Sequence, residues 1–132
     1  MNEKLVLVDS SAWISYLLNQ KESVGRSVEG LLADHRVAIN PVIRVELLTG
    51  AKNEVQYSRM EDAFEGLHLL EMTDAVWRRA EKVRFQLGKA GQLIPLPDVL
   101  IACSALVHHC SVLHVDRHFD RIAHATALKI YR

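Results

Sequence analysis

The sequence predicts a single three-layer α/β domain, with a mostly parallel sheet of four to five strands flanked by helices. Three observations predict it. Short apolar runs of strand length alternate with segments carrying apolar residues at helical spacing, which is the pattern of right-handed crossovers. The chain has 132 residues, enough for one domain with a core, and 49% of them are apolar, so it folds rather than staying disordered. No internal repeat, linker or low-complexity tract divides it, so the domain is read as residues 1–132.

The first strand is Leu5-Val6-Leu7-Val8, too short for a helix and apolar on both faces. Asp9, Ser10 and Ser11 follow, and Trp13, Ile14, Leu17 and Leu18 then mark a helix. Val24, Val28, Leu31 and Leu32 predict a second helix within Glu22 to His35, and Val37-Ala38-Ile39 is the next strand. Asn40-Pro41 reads as an N-cap with proline at the first helical position, opening a helix that ends near Gly50. A helix over Asn53 to Phe64 and a strand at Leu67 to Leu70 come next. Thr73 caps a long helix with the apolar stripe Val76, Ala80, Val83, Leu87 and Ala90, closing at Gly91. Pro95-Leu96-Pro97-Asp98 leads into Val99 to Val107, a helix apolar nearly all round and therefore central. Ser111 to Val115 is a fourth strand, Asp116 to Ala125 a short helix, and Ala127 to Tyr131 a last strand at an edge.

Composition excludes several classes of function. The formal net charge is zero, which removes the simplest electrostatic case for nucleic-acid binding and leaves only a local basic patch. No apolar run reaches membrane-spanning length, and no signal peptide opens the chain, so a cytoplasmic protein is expected. Cys103 and Cys110 sit in apolar company, as reduced, buried thiols do.

Four acids require a joint reading. Asp9 follows the first strand, Asp116 follows the fourth, Asp98 opens the most buried helix, and Glu46 lies inside the helix after the second strand. Asp9, Asp98 and Asp116 each have a capping explanation, because carboxylates are favoured at helix starts. Glu46 has none. It sits among Ile43, Val45, Leu47 and Leu48, at the margin of an apolar face, where a carboxylate is costly unless paired or bound to a cation. An exposed position beside Arg44 is the competing explanation. In a parallel sheet Asp9 and Asp116 share the C-terminal edge, where open α/β sheets bind their ligands. Carboxylates gathered on one rim repel one another, and a divalent cation removes that penalty. Oxygen ligands without a partner thiolate suit Mg²⁺ or Mn²⁺, which leave positions open for phosphate and activate a water for attack on phosphorus.

The segments Leu7 to Ile14, Val45 to Gly50, Ile94 to Ala102 and Leu113 to Ala123 together resemble the PIN-domain family, and within it the VapC-type toxins of VapBC toxin–antitoxin systems. They span the whole chain in the family's order and spacing. The resemblance puts the family's acidic quartet on Asp9, Glu46, Asp98 and Asp116, as catalytic and metal-binding residues, and its hydroxyl near the metal on Ser11. It implies a PIN-like fold and a Mg²⁺- or Mn²⁺-dependent endoribonuclease that leaves 5′-phosphate and 3′-hydroxyl ends on a specific cellular RNA. It also implies a homodimer inhibited by a cognate VapB-like antitoxin. One departure stands out: His114 occupies the position where many members have Thr or Ser. Asp120 is a further candidate ligand, with pairing to Arg117 or Arg121 the favoured alternative.

RNA needs cations near such a pocket. Arg78, Lys82 and Lys89 fall on one face of the long helix with Phe85 among them, and Arg44, Arg117 and Arg121 are close in sequence to the acids. Arg44, Arg78, Lys82 and Arg117 are therefore the candidate RNA contacts, Arg117 first because it adjoins Asp116. An exposed Phe85 would stack on a base or be covered by a dimer mate or antitoxin. A zinc site from His108, His109, Cys110, His114 and His118 is disfavoured by the lack of a paired Cys-x-x-Cys. A phosphoryl-aspartate enzyme is disfavoured because Ser11 stands where a second acid is needed. The remaining rival is a catalytically silent PIN-like module that binds RNA or protein.

Overall fold

The computed structural model describes residues 4–18 and 22–132. The chain runs β1 (Val6–Val8), α1 (Ser10–Leu18), α2 (Ser23–Ala33), β2 (Val37–Ile39), α3 (Pro41–Thr49), α4 (Glu54–Glu65), β3 (His68–Leu69), α5 (Asp74–Lys89), α6 (Leu96–Val107), β4 (Ser111–Leu113) and α7 (Arg117–Ala125). The four strands form one sheet in the order β3-β2-β1-β4, and every pairing is parallel. The fold is the predicted single α/β domain, a parallel sheet flanked by helices.

The strands that read as buried on both faces are so: every residue of β1 and β2 is buried. β3 is different. His68 and Leu69 are both exposed, and the strand lies at the sheet edge. α6 is the central helix, with Val99 to Ala105 all buried, and it packs most extensively on α5. The capping signals work locally. Asn40 Oδ1 accepts from Ile43 N at 2.9 Å, Asn53 Oδ1 accepts from Gln56 N at 2.8 Å, and Thr73 Oγ1 accepts from Val76 N. Gly91, at φ +75°, closes α5, with Gln92 N donating to Leu87 O at 2.8 Å.

Two expectations require correction. The last strand, expected over Ala127 to Tyr131, is a single parallel bridge between Val112 and Ile130. The next bridge would need the amide of Cys110, and that amide donates to Ala105 O at 2.9 Å at the end of α6, so the ladder goes no further. Asp98 is not the cap of α6. The helix starts two residues earlier, at Leu96, with Pro97 in its first turn and no side-chain cap. Proline there has no N–H to satisfy, so a capping carboxylate has less to bind. Among the described residues no helix is long and apolar enough to cross a membrane.

Candidate metal centre

Parallel pairing sets the site. Val8 of β1 is level with Leu113 of β4, and Asp9 N donates to Leu113 O at 3.0 Å, so the chain leaves both strands at the same edge. Asp9 is buried, at 3% exposure, and its Oδ2 accepts from both the amide (3.0 Å) and the hydroxyl (2.6 Å) of Ser11. The Ser11 hydroxyl also accepts from Val115 N at 3.1 Å. One side chain thus ties the β1–α1 turn to the loop between β4 and α7.

Asp116 does cap α7, through Oδ1 to His118 N at 2.9 Å. Its own amide donates to His114 Nδ1 at 3.0 Å. That bond puts the proton of a neutral His114 ring on Nε2, which lies 3.4 Å from Asp120 Oδ1. The ring is buried and sits 5.1 Å from Phe119, centroid to centroid. His114 therefore holds the loop that presents Asp116. Asp120 meets His114, and among the described residues it forms no ion pair with Arg117 or Arg121. It does not join the acids.

Asp98 is half-buried, and its Oδ2 lies 2.7 Å from His118 Nδ1. The same ring nitrogen is 3.1 Å from Asp116 Oδ1. One donor atom each from Asp98, Asp116 and His118 lies within 4.8 Å of the others, a separation that a single ion bridges. Glu46 is open to solvent and is held by Ser10, whose hydroxyl donates to Oε1 at 2.6 Å. Its partner is thus not Arg44, whose guanidinium stacks 5.5 Å from the Phe64 ring centroid.

Charge acts between neighbouring acids. The Asp98 carboxyl is raised above its usual pKa by desolvation first, then by the charges of Asp116 and Asp9, against the lowering effect of His118. Glu46 is raised by desolvation of its inner side, and further by Asp9 and Asp98, against the hydroxyl of Ser10. Excess negative charge and incomplete hydration are the state a hard cation relieves, and the two carboxylates and one imidazole of Asp98, Asp116 and His118 are a donor set that accepts one. Asn40, fully buried at the end of β2, leaves its Nδ2 without a partner among the described residues.

Ser10 and His118 escaped the sequence reading as site residues. His118 carried one signal. Side chains of a helix's first turn lean towards its N-terminus, and here that end is Asp116. The candidate RNA contacts are spread out. Arg117 is exposed beside Asp116, Arg78 is paired with Glu81 at 2.9 Å, and Lys82 is exposed along α5. Phe85 is 66% exposed, with Lys89 Nζ 5.5 Å from its ring centroid.

Comparison with known proteins gives the family. The family model of the PIN domain matches residues 6–125. The VapC ribonuclease Mb1587 of Mycobacterium bovis is 31% identical over 129 residues, 95% of this chain and 96% of that one. Ribonuclease VapC51 of Mycobacterium tuberculosis is 34% identical over 107 residues, 80% of this chain and 78% of that one. Among solved structures, a chain of VapBC-1 from nontypeable Haemophilus influenzae superposes with a TM-score of 0.79 at 21% identity, over 96% of each chain. A PIN-domain match across nearly all of the fold, with full-length VapC relatives above thirty per cent identity, places the chain in the PIN-domain family, among its VapC ribonucleases.

Proposed function

We propose that this chain is a Mg²⁺- or Mn²⁺-dependent endoribonuclease, the toxin of a type II toxin–antitoxin pair, cutting a specific cellular RNA. The observation that carries the reading is geometric: Asp98, Asp116 and His118 place donor atoms within 4.8 Å of one another, and buried Asp9 leaves β1 at the same sheet edge as Asp116. When bound, a divalent ion polarises the phosphodiester and lowers the pKa of water for attack on phosphorus. In this reading Asp9, Asp98 and Asp116 hold the ion, with His118 against two of them and Ser11 fixing Asp9. Glu46 is the most open acid, and its raised basicity suits it to take a proton at Oε2, since Ser10 holds Oε1. Arg117 meets substrate phosphate next to Asp116, and Arg44, Arg78 and Lys82 contribute more distant charge.

The partners follow from surfaces the monomer leaves open. VapBC-5 of Mycobacterium tuberculosis, whose fold this chain shares, is a member of a family of toxin–antitoxin systems. An apolar groove of about 280 Å³, lined by Trp13, Tyr16, Leu17, Leu32, Leu47 and Phe64, suits an apolar segment of an antitoxin. Trp77, Phe85 and Leu96 are exposed apolar residues on α5 and α6 that suit a homodimer face. The proposed setting is the cytoplasm, where the RNA is.

Two measurements test this reading together. Mn²⁺ or Mg²⁺ is expected to raise the melting temperature of the wild type by several degrees and of Asp9→Asn by none. Sequencing of RNA 5′ ends from expressing cells is expected to show new ends at a few discrete sites, absent with Asp9→Asn. No metal shift and no new ends in the wild type would leave the silent binding module as the function.

A further inference from the structure

The end of the sheet opposite the acids carries the reverse charge. Lys4 precedes β1, Arg36 precedes β2 and Cys110 precedes β4, so these residues mark the edge where the strands begin. A cavity of about 590 Å³ opens there. Lys4, Arg36, Arg79, Lys129 and Arg132 line it with His109, and no acidic residue does among those described. Five of the chain's 16 Lys and Arg thus face one recess of a protein whose formal net charge is zero.

The recess is built rather than incidental. Arg36 is half-buried, its Nε donates to Lys4 O at 3.0 Å, and its guanidinium carbon lies 5.9 Å from the Tyr131 ring centroid. The flexible cations, Lys4, Arg79, Lys129 and Arg132, are exposed around it. The rest of the lining includes Ala105, Leu106, Cys110 and Ile130, apolar walls that focus the field of the charges above them. Cations lining one recess raise its positive potential, and a multivalent anion is drawn to it. The volume falls in the range of small-molecule sites, roughly 300–1,000 Å³. Guanidinium groups grip phosphate oxygens in pairs, and lysines add point charge. A flat basic face would suit a polymer, whereas a recess with apolar walls suits a compact ligand.

We infer that this cavity binds a compact polyphosphate anion, such as the phosphate chain of a nucleoside triphosphate. It is separate from the acids: α6 carries Asp98 in its first turn and Leu106, on the cavity wall, eight residues later, about 12 Å of helix rise. The rival use of these cations is to offset the carbonyl ends of α2 and α6, which finish at this edge.

The test is isothermal titration calorimetry of the full chain with sodium tripolyphosphate and with ATP, in EDTA so that no divalent ion carries phosphate to the acids. It reads no cleavage, so it is independent of the nuclease reading. Saturable binding is expected for both anions. The double variant Arg79→Gln/Lys129→Gln is expected to bind at least about tenfold more weakly. Both side chains are exposed, so the fold survives, checked by circular dichroism. Arg59→Gln, on α4, is expected to bind as the wild type does. No saturable heat, or equal affinity in the double variant, would overturn the inference. So would a double variant that loses thermal stability while the wild type binds no anion, the helix-end outcome. A ten-nucleotide single-stranded RNA that binds through Arg79 and Lys129 more tightly than tripolyphosphate would replace the compact ligand with an RNA backbone.

Discussion

Asp98→Ala is expected to reduce RNA cleavage by a hundredfold or more while the fold survives. The activity loss follows because Asp98 is coupled to both Asp9 and Asp116 and shares His118 with Asp116, so its removal disorders the whole proposed ion site. Loss of a mere supporting partner of a metal ligand typically costs 10–100-fold, and a ligand costs more. The fold survives because Asp98 caps nothing: α6 begins at Leu96 and is held by its buried residues. Stability supplies a second readout through pH. A carboxyl whose pKa is raised by folding favours the folded state below its ordinary pKa, and that contribution is lost as pH rises through the folded value. In metal-free buffer the wild type should therefore lose stability, relative to Asp98→Asn, as pH rises from about 4 towards neutrality. Urea midpoints measured in EDTA across that window check the sign. A variant that fails to fold, or a difference that does not move with pH, would return Asp98 to a structural role.

Phe119→Ala is expected to cost about 3–5 kcal/mol of stability. Phe119 is fully buried, is among the largest such side chains, and is one of two buried anchors of α7, the other being Ile122. For a chain of this size the melting temperature should fall by roughly 10–20 °C. The effect reaches the site without a direct contact. The ring packs against His114, which holds the amide of Asp116, and α7 carries His118. Cleavage by the folded fraction should fall as well, and Phe119→Leu, which refills most of the volume, should restore much of both. A loss below about 1 kcal/mol by urea unfolding would show that α7 is anchored by something else.

What the sequence made legible was local or periodic. Asn40-Pro41 starts α3 because an N-cap and a fixed proline φ act within three residues, and the β1 and β2 runs are buried because nothing in them is polar. The acids at strand ends followed from parallel pairing. Long-range pairings left no trace in spacing. Ser10 meets Glu46 across 36 positions, and Asp98 meets His118 across 20. The start of α6 lies earlier than the pattern suggests because an acid before an apolar run looks the same whether it precedes the helix or lies in its first turn. The last strand is shorter than its pattern suggests because Leu128 and Ile130 alternate correctly, while the amide of Cys110 that would extend the ladder is held by Ala105 O. His114 is the instructive case. The resemblance left its role open, and the geometry assigns it: an imidazole nitrogen accepts the amide of Asp116.

The proposed function requires an ion shared by side chains from distant parts of the chain. A crystal soaked in Mn²⁺ and measured for anomalous scattering tests it most directly. The expected result is a peak about 2.1 Å from carboxylate oxygens of Asp9, Asp98 and Asp116, lost in Asp98→Asn. A map with no peak among those acids at saturating Mn²⁺, or with its only peak elsewhere on the surface, would contradict it.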